Sequence, residues 1–179
     1  MNTMNFPGSN GTGKVLMAQS PKLLWVGKKT GPNPTDRAKS GTKRSLLTDG
    51  DGVPLSMVTA SAQTHDSKLF EPTLENMILE KPEGQHHICA DKAFDSGAIR
   101  QLAEERDYRS HIKSRGDEKM EKKKNPNKKA RRWVVERTHS WFNKFRRLLV
   151  RWEKKAANYE ACLHLVSAVI AFKAAGVFG

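Results

Sequence analysis

Residues 31–55 read GPNPTDRAKSGTKRSLLTDGDGVPL, and the punctuation in this stretch decides how the chain is built. Lys43–Thr48 and Val53–Thr59 flank the tetrapeptide Asp49-Gly50-Asp51-Gly52. Asp-Gly pairs supply the positive-φ positions of a tight turn, so the spacing predicts a β-hairpin. Working outward, Asp66 stands where it would cap a helix running to about Leu79, with Leu69, Phe70, Leu74 and Met77/Ile78 on one side. His86–Ala90 reads as a short strand that ends in Asp91. Asp95 or Ser96 then caps a second helix with Ile99, Leu102 and Ala103 as its apolar face, and Tyr108–Ile112 reads as a further strand.

The flanks carry less regular signals. Residues 1–26 show neither caps nor a sustained period and read as an irregular N-terminal segment. Residues 114–130 are charge-dense, with Met120 their one large apolar residue, and read as a flexible basic insert. Beyond it, Arg131–Lys155 is expected as one long helix. At 100° per residue Val134, Trp141, Phe145, Leu148 and Trp152 form an apolar stripe, and Arg132, Glu136, Ser140, Asn143 and Arg147 fall opposite it. Ala156–Ala174 is expected as a last, buried helix; its apolar stretch Ala161–Phe172 is too short to span a bilayer. Hairpin, helix, strand, helix, strand and helices together specify an α/β or α+β domain.

At 179 residues the chain suits one domain with a proper core. Its formal net charge of +13 points to an acidic polymer as partner. The charge is concentrated: residues 100–155 hold 20 Lys and Arg against 8 Asp and Glu, a net +12. Basicity of this kind names nucleic acid without naming a reaction, since an RNA-binding protein would share it. Cys89 and Cys162 lie far apart, with no zinc-site spacing around them, and fit thiols of a reducing cytoplasm. The start lacks the charged and apolar regions of a secretory signal.

Three blocks taken together, GPNPTDRAKSGTKRSLLTDGDGVPL, ADKAFDS at Ala90–Ser96 and RRWVVERTHSWFNKFRRL at Arg131–Leu148, resemble the bacterial insertion-sequence DDE transposases. The resemblance covers about residues 27–175, a partial DDE catalytic domain. It implies a ribonuclease-H-like fold, a mixed sheet flanked by helices, here missing or altered at its first strand. It also implies DNA transposition by metal-dependent strand cleavage and strand transfer, with two Mg2+ ions (Mn2+ as substitute) held by three carboxylates. Asp91 and Glu136 match two of those acids, as catalytic groups and metal ligands. Arg37, Lys39, Lys43, Arg132, Lys144 and Arg147 are the expected DNA contacts. The implied partners are element-end and target DNA, and a second copy or an upstream-frame polypeptide. The implied location is the bacterial cytoplasm, at the nucleoid and away from any membrane.

The third acid is expected near Met17–Ser20, where the residues are Met, Ala, Gln and Ser, and residues 1–35 contain no Asp or Glu. The chain therefore reads as a truncated or second-frame portion of such an enzyme. Simpler roles stay open for the other two acids. Asp91 could cap the turn that follows it, and Glu136 could pair with Arg132 on a solvated helix for a few tenths of a kcal/mol. Two rival readings stand beside the enzyme. Gly8–Lys14, GSNGTGK, matches G-x-x-x-x-G-K, but Val15 follows where a nucleotide-binding loop needs Ser or Thr. Alternatively, the chain is a non-catalytic DNA-binding regulator or an inactive remnant of transposition.

Overall fold

The computed structural model describes residues 13–23, 27–34, 36–37, 39–77, 79, 86–112 and 133–177. The hairpin forms as expected, from β4 (Ser40–Thr48) and β5 (Pro54–Ser61). Asp49 closes its turn: Oδ1 accepts from the Asp51 N–H at 2.9 Å and the Val53 N–H at 2.8 Å, and Gly52 takes φ +86°. Strand β1 (Gly13–Gln19) runs antiparallel to β4, with Leu16 opposite Leu47 and Gln19 opposite Arg44. On its other side β1 pairs in parallel with β6 (His86–Ala90), which pairs in parallel with β7 (Tyr108–Ile112). The described sheet thus runs β7, β6, β1, β4, β5, with two-residue strands β2 (Lys22–Leu23) and β3 (Gly31–Pro32) against the start of β4.

Alternation along the strands sends neighbouring residues to opposite faces. Val15 and Leu46 enter the cluster under α3 (Trp133–Asn143) and α5 (Ala156–Ala174). Leu16 and Leu47 enter the cluster under α1 (Ser67–Glu75) and α2 (Gly97–Glu105). This is the mixed sheet flanked by helices that the resemblance implies. No helix among the described residues is long and apolar enough to cross a membrane.

Three expectations need correction. Within the stretch read as irregular, Gly13–Gln19 is a central strand. Being buried on both faces at Val15 and Leu16, it shows no polar alternation to betray it. A strand is therefore present where the third acid is expected, and it carries no Asp or Glu. It also removes the nucleotide-loop reading, because Lys14 lies inside the strand, with its Nζ 2.9 Å from the Tyr108 hydroxyl.

The helix after Thr64 ends at Glu75, short of Leu79. Asp66 makes no capping bond and instead pairs with Lys43 at 2.6 Å. His65 Nδ1 accepts from the Ser67 N–H at 3.3 Å in its stead.

The expected long helix is also broken. α3 stops at Asn143, Phe145 is extended (φ −89°, ψ 113°), α4 (Arg146–Leu149) makes one turn, and β8 (Val150–Arg151) pairs with β2. The cause is Arg151, 1 % exposed. Its guanidinium bonds Thr42 Oγ1 and the carbonyls of Lys28 and Glu153, and these anchors override local helix preference. Phe145 and Trp152, expected in the core stripe, are 40 % and 53 % exposed, while Val134, Val135, Thr138, His139 and Phe142 form the buried face of α3. The basic insert at 114–130 and Arg132 lie outside the described residues.

Candidate active site

Asp91 leaves the carboxyl end of β6, one residue past Ala90, which pairs with Leu16 on β1. Asp91 is therefore level with Met17. Its backbone is still extended (φ −67°, ψ 158°), so its side chain shares a face with Cys89, which packs on the α3 side of the sheet. Oδ1 accepts from the Lys92 N–H at 2.7 Å, and the residue is partly exposed. Asp91 does cap the following turn, and that use of one oxygen leaves its position at the strand end unchanged.

Glu136 lies in the first turn of α3, with its side chain exposed. The hairpin turn seats this helix: Thr138 Oγ1 donates to the Gly52 carbonyl at 2.7 Å, and the Arg137 guanidinium donates to the Asp51 carbonyl. One turn beyond Glu136, His139 is buried on the face of α3 that packs against β1. Its pKa falls to about 3, mainly through loss of hydration and then through the charge of Arg44. α3 packs over β1, with Met17 against the same cluster as Val134, Val135 and Phe142, and Asp91 is level with Met17 on the neighbouring strand. The two candidate acids belong to elements that meet there.

Sequence reasoning missed the polar centre beneath this junction. Arg44 is fully buried; Nη2 donates to Gln19 Oε1 and Asn143 Oδ1, each at 2.9 Å, and the guanidinium lies 5.9 Å from the Phe142 ring centroid. Burial lowers its pKa, yet a guanidinium stays charged, so neutral amides solvate a cation here. The available signal was positional: Arg44 alternates with Lys43 in the hairpin strand, and one of the two had to face inward.

The expected DNA contacts are dispersed. Arg37 (φ 48°) and Lys39 are exposed around the turn after β3, and Lys144 and Arg147 are exposed on either side of the α4 start. Arg147 Nη1 lies 3.3 Å from Glu153. Lys43 is engaged by Asp66 and by the Thr64 carbonyl at 2.8 Å.

Carboxylate oxygens suit a hard divalent ion such as Mg2+, and Asp91 and Glu136 supply that chemistry. Two ions need more ligands than two side chains offer. β1 contributes none, and no group of three or more ligand side chains is gathered among the described residues. The described donors therefore fit part of a two-ion site and do not complete one.

Residues 13–170 match the family model described as "Transposase DDE domain". The chain is 34 % identical over 150 residues to a putative transposase for insertion sequence element IS402 of Burkholderia cepacia, across 79 % of this chain and 67 % of that protein. It is also similar to a solved chain from the cryo-EM structure of piggyBac transposase in a synaptic complex with hairpin DNA. That likeness has TM-score 0.43 and 18 % identity over 67 % of this chain, which spans only 27 % of the larger one. The family match and the insertion-sequence relative, read with the sheet and helices just described, make this chain a member of the bacterial insertion-sequence DDE transposases.

Proposed function

We propose that the chain provides the catalytic-domain framework for DNA transposition, with Asp91 and Glu136 as two of the acids that act at the scissile phosphate. The observation that carries this reading is the packing of α3 over Met17 on β1, beside the strand end that bears Asp91. The divalent ions such acids hold stabilise the attacking and leaving oxygens of an in-line displacement at phosphorus. The chain's own residues would position that chemistry. β6 presents Asp91 at the carboxyl ends of the strands, where open α/β folds collect functional groups. The hairpin turn holds α3, and with it Glu136, against β1. Arg37, Lys39, Lys144 and Arg147 would hold DNA by its phosphates, an attraction that weakens steeply with salt.

The missing acid on β1 favours a second reading, a DNA-binding regulator without chemistry of its own. The two readings separate in one experiment on the purified chain, with supercoiled plasmid and Mg2+ or Mn2+. We expect DNA binding with little or no strand transfer by the chain alone. We also expect metal-dependent nicking that is lost in Asp91→Asn and Glu136→Gln. DNA affinity with no nicking under either ion would leave the regulator. Efficient strand transfer by the chain alone would show that β1 needs no acid.

A further inference from the structure

His87 and His111 lie on the neighbouring parallel strands β6 and β7. Cys89 pairs with His111 across these strands and His87 with Arg109, so His87 and His111 are diagonal neighbours on one face. Their rings are 5.0 Å apart at 25°, and His87 Nδ1 stands 2.8 Å from His111 Nε2. His87 is half-buried and His111 exposed. Nothing in the proposed chemistry uses this pair.

At 2.8 Å one ring donates its N–H to the other's lone pair. The same separation suits a shared metal ion. Two imidazole nitrogens about 2.0–2.1 Å from one ion, at angles between square and tetrahedral, stand roughly 2.8–3.4 Å apart. The ion takes the place of the shared proton. Each ring stays neutral by carrying its hydrogen on the far nitrogen, His87 on Nε2 and His111 on Nδ1. The broad second torsion of histidine lets both lone pairs turn to one point. Cys89 is turned to the core cluster and is left out of the ligand set, in keeping with the absence of a gathered group of three ligands among the described residues.

We infer that His87 and His111 form a two-imidazole chelate for a borderline divalent cation, Zn2+, Ni2+ or Cu2+, that ties β7 to β6. Imidazole nitrogen selects these ions over Mg2+, whose place is among oxygens. Because β7 is the outermost strand on this side of the described sheet, such an ion would fasten it to the strand that ends in Asp91.

The test is titration of Zn2+ into the purified chain in excess Mg2+, followed by calorimetry and by the shift in Tm. Saturable binding at one equivalent and a raised Tm are expected. His87→Gln and His111→Gln should each weaken Zn2+ binding about tenfold or more and remove the Tm shift, whereas His164→Gln should change neither. Unaltered affinity in both paired variants, or no saturable binding, would overturn the inference. The readout is independent of DNA cleavage, so it stands or falls separately from the transposition reading.

Discussion

Replacing Gly52 by alanine should cost the fold about 2–3 kcal/mol, the sum of about 1–2 for the backbone and about 1 for a hydrogen bond. The backbone part arises because Gly52 has φ +86°, which a residue with a Cβ adopts only under strain. The second part arises because that Cβ would stand 2.8 Å from Thr138 Oγ1 and 3.2 Å from Arg137 Nη2. Either the Thr138 hydroxyl swings away and loses its 2.7 Å bond to the Gly52 carbonyl, or α3 shifts. Urea unfolding followed by tryptophan fluorescence measures the sum. Thr138→Ala alone should cost about 1 kcal/mol, through a buried acceptor left without its donor. The double variant should cost less than the two added, because removing the hydroxyl relieves the clash. A Gly52→Ala variant within about 0.5 kcal/mol of the parent, the range of ordinary surface changes, would refute the argument. Strict additivity would refute the clash while sparing the backbone term.

Two other outcomes follow from the charges. His139, 2 % exposed, has its pKa lowered from 6.5 to about 3, so below 6.5 the unfolded chain binds a proton that the folded chain refuses. That part of the stability is fully present above pH 6.5 and is lost as pH falls toward about 3, at up to roughly 1.4 kcal/mol per pH unit. His139→Leu, which cannot titrate, should show a shallower fall in urea midpoint between neutrality and about pH 5, and an identical slope would contradict this. Lys144→Gln and Arg147→Gln, at exposed positions, should each weaken duplex DNA binding similarly across sequences and reduce the salt slope by about 1. An unchanged slope measured by fluorescence anisotropy would remove that residue from the DNA contacts.

Much of the fold was legible where a local signal coincided with the tertiary demand. The Asp-Gly turn between β4 and β5, the cap of α2 (read as Asp95 or Ser96 and found at Ser96), and the limits of β6, β7 and α5 all carry their own chemistry. β1 was not legible because GKVLMAQ is covered on both faces and so lacks a strand's alternation. The break after Asn143 was hidden for a different reason. Nothing in NKFRRLLVRW forbids a helix, and it is the burial of Arg151 against the distant Lys28 carbonyl and Thr42 hydroxyl that draws the chain into β8. At the candidate site the motif residues Asp91 and Glu136 could be named, but their support could not. Whether Lys43 or Arg44 faces inward depends on register, and Arg44 finds its amide partners 25 and 99 positions away.

The contact that seats α3 joins Gly52 to Thr138 across 86 positions. Closing so long a loop spends chain entropy before it returns any contact energy, and contacts of this range slow folding. Chains leave the ribosome amino end first, so β1, β4, β5, β6 and β7 are all synthesised before α3. During that interval the sheet lacks the apolar cover that Val134, Val135 and Phe142 later give it. Asp91 is in place early; the element bearing Glu136 arrives late, along with the lid over half the core. Assembly of the candidate site and covering of this face of the sheet therefore both wait for the chain beyond residue 133, with α5 adding Tyr159, Leu163, Val166 and Ile170 last. A nascent chain arrested before residue 133 would have neither.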